Sequence, residues 1–311
     1  MLMTNVLVTG GAGFIGSNFV HQLSIERDFK ITIVDALTYA GSKSNLEPLI
    51  QGNKIEFSHA DITNQELMAT LIKANDVIIN FAAESHVDNS ILSPDTFVKT
   101  NILGTMVLLN QVREFNKRLI QISTDEVYGS LDYGFADEEF ALKTNSPYSA
   151  SKASADLLCL AYFKTYGIDV SITRCSNNYG IRQNSEKFIP MAILSLLQGR
   201  KVPIYGTGEN IRNWIHVNDH VDGILAVVKK GKSGQIYNFG SNESFTNLQV
   251  LHLIASRLNV NYDYIEYVED RKGHDFRYAI EFSKATKELG WKPKRIFLDE
   301  IDSIINWYKK N

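Results

Sequence analysis

Tyr148 and Lys152 stand four residues apart in Tyr148-Ser149-Ala150-Ser151-Lys152. On a helix that spacing puts both side chains on one face. There the ammonium favours the phenolate and lowers the Tyr148 pKa towards neutrality. Such a phenol can take a proton from a sugar hydroxyl as its carbon gives up hydride, and Lys152 can also bind the ribose of the hydride acceptor. Upstream, Thr124-Asp125-Glu126 places two adjacent carboxylates directly after the apolar run Leu119-Ile120-Gln121-Ile122-Ser123. If their environments separate their proton affinities, one serves as acid and the other as base. Each motif alone has a plain structural alternative: an exposed helical pair, a solvated acidic turn. The N-terminal segment tips the balance.

The run Asn5-Val6-Leu7-Val8-Thr9 ends in Gly10-Gly11-Ala12-Gly13-Phe14-Ile15-Gly16. Glycines at 10, 13 and 16 between a strand and a helix permit a tight turn. They also let backbone N–H groups approach a pyrophosphate at the positive end of the helix that Phe14 and Ile15 open. Asp35 follows the next strand, Ile31-Thr32-Ile33-Val34, about 20 residues beyond the last glycine, where a carboxylate accepts both adenosine ribose hydroxyls. It would repel a 2′-phosphate, so the pattern favours NAD over NADP. Asp61 and Ile62 end the third strand and can flank adenine, although Asp61 equally suits the cap of the helix near Gln65. Phe81-Ala82-Ala83 can let backbone run against the cofactor or simply pack closely.

The elements that must position these groups alternate. Strand-like runs cover 5–9, 30–35, 54–58, 76–81, 118–123 and 169–174, with amphipathic stretches at 15–26, 64–73, 95–115 and 147–166 between them. That rhythm predicts an α/β fold, a Rossmann-type doubly wound parallel sheet over residues 1–176. After about residue 176 it breaks into shorter pieces: a strand at 235–239 and helices at 187–198, 219–229, 247–258 and 297–309. These predict a smaller mixed α/β substrate lobe over 177–311, with about 211–240 returning to the first lobe. A net charge of −3 gives no reason to expect nucleic acid or an acidic membrane as partner. With only two cysteines, Cys159 and Cys175, neither a disulfide framework nor a metal cluster is expected, and a reducing cytoplasm is the expected location. Neither a signal peptide nor a membrane span is read in the sequence.

Together the glycines and the Tyr/Lys pair resemble the extended short-chain dehydrogenase/reductase family over essentially the whole chain. Within it, Thr124-Asp125-Glu126 is similar to the signature of the dTDP-glucose 4,6-dehydratase branch, where simple sugar epimerases carry small or hydroxyl residues. Longer segments are similar to the same branch: Asp35-Ala36-Leu37-Thr38-Tyr39-Ala40-Gly41, Ala82-Ala83-Glu84-Ser85-His86-Val87-Asp88, Arg174-Cys175-Ser176-Asn177-Asn178-Tyr179-Gly180 and Asp270-Arg271-Lys272-Gly273-His274-Asp275.

The resemblance implies NAD-dependent dehydration of a nucleotide-hexose, dTDP-glucose first, to the 4-keto-6-deoxy sugar. Tyr148 would deprotonate the C4 hydroxyl, hydrogen-bonded by Thr124, as hydride leaves C4. The new ketone acidifies C5–H, which Glu126 removes. Asp125 protonates the departing C6 hydroxyl, and the hydride returns to C6. The resemblance further implies that Thr100, Ser123 and Asn178 join the cofactor set, that Ser85 faces the sugar, and that Asn177 and Lys187 meet sugar or phosphate. Arg212, Arg271 and His274 would meet the nucleotide or its pyrophosphate, and Pro203, Ile204, Tyr205, Asn247 and Tyr278 would line base and ribose. Trp214 and Trp291 are read as packing residues. A homodimer through 95–115 and 147–166 is implied, against purely intramolecular packing of those helices. The chain departs from the branch at Asn89, Ile181-Arg182-Gln183-Asn184-Ser185, Asn213 and Lys272. Most of these are expected around the sugar or nucleotide cleft, so UDP-sugars stay open beside dTDP-glucose. Two other functions compete: a nucleotide-sugar 4-epimerase, for which Asp125 and Glu126 have no use, and a non-catalytic NAD-binding scaffold, which needs no activated phenol.

Overall fold

The computed structural model describes residues 3–310. Its first half runs β1 (Thr4–Thr9), α1 (Phe14–Leu23), β2 (Phe29–Asp35), α2 (Glu47–Gln51), β3 (Ile55–His59), α3 (Gln65–Ala74), β4 (Val77–Asn80), α4 (Val87–Leu92), α5 (Pro94–Phe97), α6 (Thr105–Glu114), β5 (Arg118–Ile122), α7 (Pro147–Tyr166) and β6 (Asp169–Cys175). The second half adds β7 (Asn177–Tyr179), α8 (Phe188–Leu197), β8 (Val202–Tyr205), β9 (Ile211–His216), α9 (Val217–Lys230), β10 (Ile236–Phe239), β11 (Ser244–Thr246), α10 (Asn247–Arg257), β12 (Ile265–Val268), α11 (Ser283–Leu289) and α12 (Phe297–Lys310).

Seven strands form one sheet in the order β10-β6-β5-β4-β1-β2-β3, every neighbouring pair parallel. A sheet covered on both faces needs continuous apolar strands, and Val6, Leu7 and Val8 are all fully buried. Packing against one face are α1, α9 and α11, around Phe19, Ile224 and Leu289. The other face carries α3, α6 and α7, around Met68, Leu108 and Cys159. A separate core, with Ile193, Leu251, Phe297 and Ile304, joins α8, α10 and α12 to two small sheets, β11-β9-β7 and β12-β8. Within 211–240, α9 and β10 pack with the main sheet, whereas β9 belongs to the small sheet. Among the described residues no helix is long and apolar enough to cross a membrane.

The stretch predicted as one helix over 95–115 is interrupted by a π-helical turn at Val98–Gly104. Tertiary contacts account for it. Asn101 turns inward, accepting the Glu84 amide (2.9 Å) and donating to the Glu84 carbonyl (3.0 Å) and the Ser151 hydroxyl (2.8 Å). A Cβ on Gly104 would lie 2.5 Å from Ile62 Cδ1. Such bulges recur where a helix must aim a side chain at a site. The helix that carries the Tyr/Lys pair, α7, is fixed at both ends. Ser146 and Ser149 form a reciprocal cap, Pro147 opens the first turn, and Gly167 closes the last one in the left-handed region.

Candidate active site

The chain reverses its strand order between β1 and β4, and ligand sites in open α/β sheets lie outside the carboxyl ends of strands at such a point. There the glycine turn leaves no room for side chains. A Cβ on Gly10, whose φ is +68°, would sit 2.5 Å from the Ala82 amide nitrogen, and one on Gly16 would collide with the Gly10 carbonyl. Asp35, at the end of β2, is buried. Its Oδ2 accepts the Ala12 amide and its Oδ1 the Leu37 amide, both at 2.8 Å. Burial raises its pKa while those two bonds oppose the rise. Each oxygen keeps a further lone pair for a ligand hydroxyl. A cavity here is lined by Gly10, Gly13, Asp35, Asp61, Ile62, Phe81, Ala82, Ala83 and Thr100. The backbone cradle at a helix N-terminus and the ribose carboxylate fit a dinucleotide. Phe14, Ile15, Gly16 and Ser123 do not line this cavity; the first three form the opening of α1, and Ser123 lies at the end of β5. Asp61 Oδ1 accepts the Thr63 amide and hydroxyl, so it closes its own turn as well as facing the cavity.

A larger cavity of about 420 Å³ opens between the two lobes. It gathers Ser85, Asn177, Asn178, Lys187, Pro203, Ile204, Tyr205, Arg212, Asn247, Arg271, His274 and Tyr278 with Glu126. The cations are held from behind. Arg212 is hooked by the carbonyls of Asp275 (2.9 Å) and Phe276 (3.2 Å), its guanidinium 4.5 Å from the centre of the Tyr278 ring. Arg271 pairs with Asp88 at 3.2 Å and lies 4.9 Å from the centre of the Tyr205 ring. Lys187 donates to the Ser85 carbonyl (3.0 Å) and His274 meets Asp270 (2.6 Å). Asn178 reaches the Ser176 carbonyl (2.9 Å) and the buried His220 ring (3.0 Å). Sequence reasoning attached no role to Asn101, His86 or Asp88, nor to Asp275, whose Oδ2 accepts the Tyr278 hydroxyl (2.7 Å). Their contacts join residues remote in the chain, Asp88 with Tyr205 and Arg271 and Asp275 with Asn145, which no local motif records. Of the departures, only Gln183 lines this cavity. Asn213 instead faces away from it, its amide bonded to Ser241 and Glu243 in the turn after β10. That correction removes Asn213 from the cleft: a fully engaged amide fixes a turn.

Thr124, Asp125, Tyr148 and Lys152 line neither cavity and are all buried. Thr124 accepts the Glu126 amide at 3.2 Å and caps the short 3-10 turn Asp125–Tyr128. The carboxylates differ as chemistry would require. Burial, and then the charge of Glu126, hold the Asp125 carboxyl well above the usual range, with Arg212 and Thr124 opposing. Burial raises Glu126 too, but Arg212, Lys187 and Arg271 each pull it back. The expectation for Tyr148 is not met. Burial first, then the Glu126 charge and the Cys175 thiol, push its phenol well above the ordinary value, and Lys152 does not counter them. The physical reason is direction: the Lys152 ammonium is spent on the Ile122 carbonyl at 2.6 Å and is itself lowered by burial. Trp214 belongs to the small-lobe core and also lines the larger cavity, while Trp291 packs in the main core.

The parallel sheet with its dinucleotide cradle, and a Tyr/Lys helix beside a second cavity, define the architecture of an extended short-chain dehydrogenase/reductase. The chain belongs to the GDP-mannose 4,6 dehydratase family, whose model matches residues 7–304. It is 46% identical over 314 residues to a dTDP-glucose 4,6-dehydratase of Streptomyces antibioticus, a match covering 99% of this chain and 93% of that protein. Its structure is similar to that of DesIV, a dTDP-glucose 4,6-dehydratase from Streptomyces venezuelae solved with NAD and TYD bound (TM-score 0.96, 43% identity, 99% of this chain and 98% of that one). It is also similar to the UDP-glucose 4-epimerase of Thermotoga maritima with UDP-glucose, at TM-score 0.91 and 28% identity, over 99% of both chains.

Proposed function

We propose that this protein is an NAD-dependent hydro-lyase that removes water from a nucleotide-hexose, dTDP-glucose first, to give the 4-keto-6-deoxy sugar. The observation that carries the reading is the unequal pair on the β5 turn. Asp125 is buried with its proton held tightly, and Glu126 faces the larger cavity under three cations. An elimination needs one acid and one base; an epimerisation at C4 needs neither. The family model and the two relatives at 43% and 46% identity carry names that differ in nucleotide and hexose but agree on 4,6-dehydration, whereas the 4-epimerase is only 28% identical.

NAD, when bound, supplies a hydride acceptor for C4, a hydride donor for C6 and a cationic ring whose charge favours the Tyr148 phenolate. Gly10, Gly13, Phe14, Ile15 and Gly16 would hold its pyrophosphate, and Asp35 its adenosine ribose. Asp61, Ile62, Phe81, Ala82 and Ala83 would hold the adenine side, and Thr100, Ser123, Lys152 and Asn178 the remainder. Tyr148 takes the C4 hydroxyl proton and Thr124 orients that hydroxyl. Glu126 removes the C5 proton, which the C4 carbonyl has made acidic, and Asp125 protonates the leaving C6 hydroxyl. Ser85, Asn177 and Lys187 position the sugar. Arg212, Arg271 and His274 neutralise phosphate oxygens, and Pro203, Tyr205, Asn247 and Tyr278 enclose base and ribose. The sheet lobe is thereby assigned the cofactor and the α8–α10–α12 lobe the nucleotide.

A homodimer is part of the same reading. Leu92, Val98, Leu103 and Leu157 are exposed along α4 to α7, a pattern that suits a helical interface with a second copy. The cytoplasm is proposed because both cysteines are buried thiols. Incubating the protein with dTDP-, UDP- and GDP-hexoses and weighing the products tests the function. Loss of one water from a dTDP-hexose is expected, and a sugar of unchanged mass would favour the epimerase.

A further inference from the structure

Dehydration by these residues does not close its own proton account. Tyr148 takes the C4 hydroxyl proton and never returns it, because the product keeps its C4 carbonyl. Glu126 takes a proton from C5 and gives one back to C5, so it ends as it began. Asp125 gives its proton to the leaving hydroxyl, which departs as water, and nothing in the reaction replaces it. Each turnover therefore leaves a phenol where a phenolate is needed and a carboxylate where an acid is needed. One proton carried from Tyr148 to Asp125 corrects both.

Both groups are largely withdrawn from solvent. Tyr148 is 8% exposed and Asp125 3%, and Asp125 Oδ2 is buried without a hydrogen-bond partner. Lys152 donates to the Ile122 carbonyl, which accepts a hydrogen bond but cannot pass a proton on. Thr124 adjoins both. Its Oγ1 lies 3.4 Å from Asp125 Oδ1, its hydroxyl opposes the rise that burial imposes on the Tyr148 phenol, and the Glu126 amide donating into it fixes its rotamer. A hydroxyl can accept and donate at once, and catalytic hydrogen bonds that are long at rest tighten during reaction.

We propose that the Thr124 hydroxyl is a proton relay that resets the enzyme between turnovers, accepting from the Tyr148 phenol while donating to the Asp125 carboxylate. The Tyr148 O–H bond breaks, a new one forms on Thr124 Oγ1, and the original threonine proton moves to Asp125 Oδ1. No redox partner is needed, and one negative charge passes from carboxylate to phenolate. The high proton affinity that burial and Glu126 give Asp125 narrows the gap the proton must cross. Once the product carries a carbonyl at C4, the sugar no longer donates a hydroxyl proton there, which leaves Thr124 to bridge its two neighbours.

The inference rests on the dehydration reading, and rapid-quench kinetics of the NAD-loaded protein with dTDP-glucose separates the two. Thr124→Val should slow the first release of water, because Thr124 also orients the C4 hydroxyl, and should slow later turnovers by roughly tenfold or more beyond that. Its later turnovers should rise with the concentration of a small buffer acid, because Asp125 must then recover its proton from solvent. Thr124→Ser should restore the parent ratio of first to later turnovers and abolish the buffer dependence. Equal slowing of first and later turnovers in Thr124→Val, without buffer dependence, overturns the relay and leaves dehydration intact. A parent protein that removes no water overturns the dehydration reading and the relay with it.

Discussion

At the scale of single residues the account turns on environment rather than on identity. Asp125 and Glu126 are chemically alike and adjacent, yet only Glu126 lies among Arg212, Lys187 and Arg271 in the cavity wall. Replacing Glu126 with Gln should leave C4 oxidation detectable by the rise of reduced cofactor absorbance while water loss falls by roughly 10²- to 10⁴-fold. Equal loss of both partial reactions would contradict the assignment. As the proposed base, Glu126 would act only when ionised, so activity should be lost as pH falls through its pKa. Arg212 is the largest influence opposing the rise of that pKa. In Arg212→Gln the pKa climbs, and the acid limb of the kcat profile should move to higher pH; an unmoved limb would remove Arg212 from this role. The types and spacing of these residues were legible in the sequence, since Thr124 to Glu126 and Tyr148 to Lys152 are local patterns. The field around Tyr148 was not. A four-residue spacing says that two side chains share a helix face, but not that one of them will be buried and the other aimed at a strand-end carbonyl.

At the scale of elements, the parts that carry the site are tied to one another by a buried polar network. Arg174 on β6 binds Asp156 on α7 (2.9 Å) and the Tyr128 hydroxyl (2.9 Å), and Tyr128 in turn binds Asn238 on β10 (2.9 Å). Burial pushes the Tyr128 phenol up to about 12, so it stays a neutral donor. The network joins the helix of Tyr148 to the turn of Glu126. Asp156→Ala strands a fully buried guanidinium, a loss that typically costs about 3–5 kcal/mol; urea denaturation should show it, and a change below about 1 kcal/mol would mean that the network is not structural. The sheet strands were legible because parallel, doubly covered strands are continuous apolar runs closed by glycine or acidic turns. The short strands β7, β8, β9, β11 and β12 were not, because their pairing is remote: β12 joins β8 through Ile265 and Val202, and β11 joins β9 through Phe245 and Arg212. The π turn at 98–104 was equally hidden, since Asn101 makes it by contacts to Glu84 and Ser151.

At the scale of the whole molecule, the larger cavity opens between the sheet lobe, to which the proposal assigns the cofactor, and the helical lobe, to which it assigns the nucleotide. The exposed apolar residues of α4 to α7 predict association: Leu157→Glu, set on a face away from both cavities, should roughly halve the mass seen by light scattering while the thermal midpoint stays within a few degrees. An unchanged mass would place the interface elsewhere or leave the protein a monomer. The central claim is that hydride removed from C4 returns to C6 of the same sugar after water has left. Its most direct test is a single incubation of the NAD-loaded protein with dTDP-glucose carrying deuterium at C4. The account predicts a product lighter by one water, with the deuterium in the C6 methyl group. Deuterium still at C4 in a sugar of unchanged mass would contradict it.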